Sequence, residues 1–254
     1  MMKNTRFITS PNNPQNNVES VVIGANHDEI VEFFNKNGIK TYVIPVNPAL
    51  DKRVGDHVDL QVLHLGGAEV HCTKLCEILS NIEGIDLTTG KNVQRIYPND
   101  ILYNCAVVGK FAFVYHKFYT GNPITDLFKD RDFQVLPVRQ GYARCATCVV
   151  NERAIITEDP SIAKVAAEQR IDVLLIEKGD VSLKGFPYGF LGGATVKIAP
   201  DKMAFTGPII NKLHNRRIMK FLEAHGVSPV YMTEKPCFDI GSVVPLTEYT
   251  EEEK

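Results

Sequence analysis

The sequence predicts an α/β fold in which five related strand-helix-strand modules close into a ring, a five-fold pseudosymmetric α/β propeller. Strand-like and helix-like segments alternate along the chain. A short segment, here termed a corner, recurs near 57–65, 100–109, 141–150, 189–198 and 237–246, with starts 41 to 48 residues apart, a period typical of propellers, solenoids and arrays. No linker composition interrupts the 254 residues, which favours one domain over 1–254. An ordinary mixed sheet would alternate in the same way, and periodicity alone leaves that alternative open.

The first module predicts a strand at Val21–Gly24, an amphipathic helix over about 27–36 and a β-branched strand at Thr41–Pro45. The second predicts a strand at Ala68–His71, a helix over 73–82 and a strand at Val93–Tyr97. The third has a strand at Phe111–Tyr115, a short helix near 124–129 and a strand at Gln134–Val138. The fourth has a strand at Ala154–Thr157, a helix over 161–169 capped by Ser161 or Asp159, and a strand at Val173–Ile176. The fifth runs from a strand at Met203–Thr206 through a helix over 215–224, stopped by Gly226, to a strand at Pro229–Met232.

Composition narrows the function classes. Hydrophobic residues at 44% and charged residues at 23% are ordinary for a packed globular chain. A formal charge of -2 without a long basic block gives no electrostatic footprint for nucleic acid. Apolar runs such as 172–177 are far shorter than the roughly 20 residues of a membrane span. The N-terminus becomes polar at 12–17 instead of forming an apolar signal core, so a cytoplasmic location is expected. Six cysteines in a chain of this length are expected to be thiols in a reducing compartment. No cofactor is expected. The partner expected is a small-molecule substrate, and the sequence is compatible with a homo-oligomer.

If each corner is a strand, its first, third and fifth residues share a face. That face collects His57, Asp59 and Gln61, then Asp100 and Asn104, then Cys145, then Cys237 and Asp239. In a ring these residues would line the central channel, with Val58, Leu60, Ile101, Tyr103, Phe238 and Ile240 turned to the core. The polar residues could also merely bond one another and fill the axis.

Other chemistries have weaker support. Cys145-Ala-Thr-Cys148 lacks a second C-x-x-C, and on a strand its two sulfurs would face opposite sides, which predicts Cys148 in the core. His57, Asp59, His64, His71 and Cys72 are metal-ligand types, and a metal-dependent hydrolase is an alternative. However, His57 and His64 differ by an odd number of positions, and no metal is expected. Gly189-Phe-Leu-Gly-Gly193 is followed by strand-like rather than helical sequence, so tight packing explains it better than phosphate binding.

The modules, His57-Val-Asp59 and Gly141-Tyr-Ala-Arg-Cys145 resemble the pentein, or guanidine-modifying enzyme, superfamily over nearly the whole chain. The nearest likeness is to an uncharacterised bacterial family assigned that fold, through His57-x-Asp59-x-Gln61, Tyr188-Gly-Phe-Leu-Gly-Gly193 and Asp239-Ile-Gly-Ser242. The resemblance implies a cysteine-dependent hydrolase or amidinotransferase-like enzyme acting on a small guanidine- or amide-like substrate. Cys145 would be the nucleophile, His57 the general acid/base and Asp59 a substrate ligand. Asp239, Gln61, Asn104 and Asp100 would be further substrate-binding residues, and Cys237 the alternative nucleophile. A non-catalytic pentein-fold binding protein is the other reading. The Glu-Gly-Gly-Asp corner of the superfamily is absent, because the fifth module supplies only Asp239 and Leu191-Gly-Gly-Ala194 has no acid.

Overall fold

The structure, a computed structural model, describes residues 4–250. After β1 (Thr5–Phe7), the first module contains β2 (Val18–Gly24), α1 (Asp28–Lys36) and β3 (Lys40–Ile44). The second contains β4 (Val62–Gly66), β5 (Glu69–Cys72), a 3-10 helix (Lys74–Asn81) and β6 (Asp86–Thr89). The third contains β7 (Ala106–Val108), β8 (Phe111–Tyr115), α2 (Pro123–Lys129) and β9 (Gln134–Val138). The fourth contains β10 (Thr147–Asn151), β11 (Ala154–Thr157), α3 (Pro160–Glu168) and β12 (Asp172–Leu175). The fifth contains β13 (Thr195–Ala199), β14 (Lys202–Phe205), α4 (Lys212–Ala224) and β15 (Ser228–Tyr231), and β16 (Val244–Tyr249) follows.

Each of modules two to five is an antiparallel pair followed by a helix and a parallel third strand, as in β10-β11-β12. The first module lacks the leading strand of its pair. The last strand, β16, supplies it by running antiparallel to β2, and β1 adds to the outer side of β16. The two ends of the chain thus complete one sheet, and the ring closes through backbone hydrogen bonds. This is the five-fold α/β propeller, or pentein, architecture.

Among the described residues the apolar core is divided into five clusters, one between each pair of neighbouring modules. Phe113 and Leu136 of the third module, for example, meet Ile155 and Ile162 of the fourth. Full burial of such a side chain contributes roughly 1.5–3 kcal/mol. The helices follow local signals. Ile30 and Phe34, four residues apart, form the buried stripe of α1. Asp159 caps α3 by accepting from the Ser161 and Ile162 amides, with Pro160 at its first position.

Two expectations are corrected. Residues 93–97 form no strand. The third strand of module two is β6, paired parallel from Glu69↔Asp86 to Cys72↔Thr89. Val93 is buried, but Ile96 is 75% exposed, so the apolar run is not a sheet face. The first residues of each corner, which the strand reading grouped on one face, are turns or irregular backbone, with Val58–Leu60 and Gly192–Ala194 forming 3-10 turns. Only the later residues enter β4, β7, β10, β13 and β16. Strand parity therefore does not govern which corner residues meet.

Instead, the corners are joined in a hydrogen-bonded belt around the axis. The Asp59 amide donates to Gly241 O, Asn104 Nδ2 to Asp59 O (3.4 Å), and the Arg144 amide to Asn104 Oδ1 (2.8 Å). The Gly193 amide donates to Cys145 O, and the Ile240 and Ser242 amides to Gly193 O. All five corners are linked, so side chains far apart in sequence are held in fixed register.

Candidate functional site

Within this belt, Cys145 Sγ donates to Asp59 Oδ2 at 2.8 Å. Asn104 Nδ2 donates to Cys145 Sγ at 3.2 Å, while its Oδ1 accepts the Arg144 amide. A nitrogen of His57, a carboxylate oxygen of Asp59 and Cys145 Sγ all lie within 4.8 Å of one another, and all three residues are buried. Asp239 accepts from the Phe190 amide through Oδ2 (2.9 Å) and from the Gly241 amide through Oδ1 (2.8 Å). His57, Cys145 and Asp239 line a cavity of about 320 Å³.

The glycine corner follows from this packing. A Cβ on Gly193 would lie 2.0 Å from Asp239 Oδ1, and one on Gly189 2.5 Å from Asp239 Cβ. Gly189 and Gly193 of the fourth corner carry no side chain because Asp239 lies against them.

Electrostatics set the resting state. Burial, followed by the nearby carboxylates of Asp59 and Asp239, holds the Cys145 thiol well above its ordinary pKa, while the Asn104 amide opposes this. Burial raises Asp59 to about 6, against the His57 charge, and Arg144 opposes that rise more weakly. The Arg144 guanidinium is itself buried, with carbonyl partners at Thr147 (3.3 Å) and Gly192 (3.4 Å). Burial and the two carboxylates therefore favour Cys145 as a neutral thiol.

The remaining sequence candidates lie outside the cavity wall. Asp100 accepts from Tyr142 Oη at 2.6 Å, just behind the lining Tyr142. Gln61 is fully buried and spends its amide on the carbonyls of Gly55 (3.3 Å) and His57 (3.4 Å), which stabilises the His57 turn. Cys237 packs in the cluster between modules four and five, with Sγ 3.6 Å from Thr206 Oγ1, and burial raises it to about 12. Cys148 lies in the same cluster against Met203 Sδ. His64 is turned to a backbone carbonyl, with Nε2 2.8 Å from Gly67 O.

Several contributors carried no motif. The loops at 45–56 and 177–187 carry no motif, yet Val54 of one and Leu183 and Phe186 of the other line the cavity beside Tyr188. Arg53 joins them by donating to Gly185 O (3.0 Å) and lying 4.1 Å from the Phe186 ring centroid. The aromatic cluster Phe186-Pro-Tyr-Gly-Phe190 was the available signal.

Glu158 was also missed. Its Oε1 accepts the Leu191 amide at 2.8 Å, its Oε2 has no partner among the described residues, and burial raises it to about 8. A carboxyl raised this way contributes stability below its unfolded pKa of about 4.3 that is lost as pH rises through about 8. Glu158→Gln is expected to remove this slope. Urea midpoints between pH 5 and 8 should fall less for the variant than for the parent, and equal falls would contradict the assignment.

His57, Asp59 and Cys145 also form a nitrogen, oxygen and sulfur donor set suited to a zinc-like ion with one position open to the cavity. Asp59 Oδ1 is buried without a partner among the described residues, which fits such a ligand. Among these residues, no helix is long and apolar enough to cross a membrane.

Comparison with known proteins places this geometry in a fold. The inosamine-phosphate amidinotransferase StrB1 of Streptomyces griseus is similar in structure, with a TM-score of 0.56 and 11% identity over 98% of this chain and 99% of that one. The amidinotransferase SxtG of the saxitoxin biosynthetic pathway of Microseira wollei has a TM-score of 0.55 and 10% identity over 92% and 97% of the two chains. A substrate-bound cysteine-to-serine agmatine deiminase of C. jejuni has a TM-score of 0.55 and 9% identity over 100% and 99%. At these identities the likeness shows the pentein fold alone. No curated protein matches the sequence. The model of a family of unknown function (DUF6873) matches residues 21–244, from the first β-strand of the ring to the strand that closes it, and the chain belongs to that family.

Proposed function

We propose that this protein is a cysteine-dependent enzyme that breaks a C–N bond in a small guanidine- or amide-like molecule, by hydrolysis or by amidino transfer. The observation that carries this reading is the convergence of Cys145, His57 and Asp59 within 4.8 Å beside a cavity that also exposes Asp239. A planar cation in the cavity would offer N–H donors to the Asp239 carboxylate that lines it. Its charge would offset the two carboxylates that hold the thiol neutral, so binding itself favours the thiolate.

In the proposed sequence the thiol proton passes to His57 and Sγ bonds to the amidino carbon. The C–N bond to the leaving amine then breaks as His57 returns the proton to that nitrogen. Water, or an acceptor amine, attacks the S-amidino carbon and gives a proton to His57, and S–C cleavage restores the thiol. Labelling with 2-chloroacetamidine tests the site. Peptide mass spectrometry should find Cys145 modified well before Cys72 or Cys237, whereas equal labelling would refute the assignment.

The same donor set favours a second reading, a metal-dependent hydrolase. Under it, the purified protein would retain about one equivalent of zinc that Cys145→Ala releases. Full activity after exhaustive chelation would exclude it.

A further inference from the structure

We infer that the substrate of this site is a monocation whose non-reacting end is apolar, such as an alkyl- or arylguanidine, rather than an amino acid or a diamine derivative. This rests on the thiol reading above and concerns only what the far end of the cavity accepts.

The buried end of the cavity carries its chemistry, with His57, Cys145 and Asp239 each at most 6% exposed. Toward solvent the wall passes through Leu60 and Leu183 to Phe190 and Phe186, the last 36% exposed. Polar atoms on this wall are already engaged. Tyr142 Oη donates to Asp100, Gln140 donates to Asp159 through Nε2 and accepts the Tyr142 amide through Oε1, and Tyr188 Oη accepts from Lys178.

Among the described residues, no lysine or arginine lines the cavity. Two cations stand at its rim. Arg53 lies over Phe186 and is bound by both oxygens of Asp51, at 2.9 and 3.0 Å, and by Gly185 O. The Lys178 ammonium donates to Tyr188 Oη and lies over the Tyr188 and Phe190 rings. A substrate carboxylate inside the cavity would therefore meet an apolar wall, with Arg53 already held by Asp51 and Lys178 seated outside on the Tyr188 and Phe190 rings, which opposes binding. A second ammonium group at the far end would likewise find no lining carboxylate beyond Asp239. An alkyl or aryl tail loses nothing there and gains the burial of its own surface.

The test is calorimetric titration of Cys145→Ser, which holds the site without the thiol, with methyl-, butyl-, hexyl- and benzylguanidine, arginine and agmatine. Affinity should rise roughly fourfold per added methylene while the tail still contacts the wall. Arginine and agmatine should bind at least about tenfold more weakly than hexylguanidine. Phe186→Ala should weaken hexylguanidine several-fold and leave methylguanidine unchanged, a split that general destabilisation would not produce. Arginine or agmatine binding as tightly as hexylguanidine, or an equal loss for both alkylguanidines in Phe186→Ala, would overturn the inference and leave the thiol reading intact. Failure of every cation to bind, in this variant and in the parent, would remove both.

Discussion

Cys145→Ala is expected to lower turnover of a guanidine substrate at least about 1,000-fold, because removing a covalent nucleophile closes the two-step route rather than weakening it. The variant should remain folded. The lost thiol makes its hydrogen bonds to Asp59 and Asn104 at the edge of a cavity, and alanine introduces no clash. Cys237→Ala is the matched control. That thiol lies in the core against Thr206, so its removal should cost roughly 1–2 kcal/mol of stability and leave turnover within about twofold. Steady-state kinetics and denaturant titration on both variants separate the two effects. A large kinetic loss in Cys237→Ala together with an active Cys145→Ala would move the nucleophile to the fifth corner.

Cys145 also shows how much of the site was legible. The recurring corners located the ring, because a five-fold repeat of strand, helix and strand is a local signal repeated often enough to be read. The juxtaposition of His57, Asp59 and Cys145 required both the ring and the resemblance. Strand parity grouped Cys237 and Gln61 with them, yet Cys237 faces the core, and Gln61 holds the turn because the corner at Val58–Leu60 is a 3-10 turn. A turn sets its side-chain directions through long-range bonds such as Asp59 N–H to Gly241 O, which no local pattern encodes.

The loops that form the apolar wall were illegible for a similar reason. Leu183 and Phe186 reach the cavity on a loop that Arg53 of another module holds by donating to Gly185 O. Glu158 reads as an ordinary acid after a strand, and only its burial distinguishes it. Residues 93–97 misled in the opposite way. Their apolar content suggested a strand, whereas the ladder needs a segment that reaches β5 in parallel register, and Asp86–Thr89 provides it.

Gly241→Ala is the second large effect expected, and it tests whether the belt of corners, rather than any one side chain, maintains the site. Gly241 has φ 70°, and a Cβ there would lie 2.2 Å from His57 Cβ and 2.4 Å from His57 Cα. The substitution therefore combines left-handed backbone strain with a clash against backbone that cannot rotate away, together about 2–5 kcal/mol. Gly226→Ala isolates the first component. Its φ is 67° but nothing lies within 4 Å of the added Cβ, so the strain alone, about 1–2 kcal/mol, is expected. Denaturant midpoints measure the difference between the two variants, and equal losses would show that the contact with His57 is not tight.

The position of the clash adds a kinetic consequence. Gly241 O accepts the Asp59 amide and Gly241 N–H binds the Asp239 carboxylate, so relief of the contact must displace His57, Asp59 or Asp239. A folded fraction of Gly241→Ala should consequently lose turnover out of proportion to its stability, whereas Gly226→Ala should retain it. The invariance of turnover in the second variant is what makes the loss in the first a property of the corner.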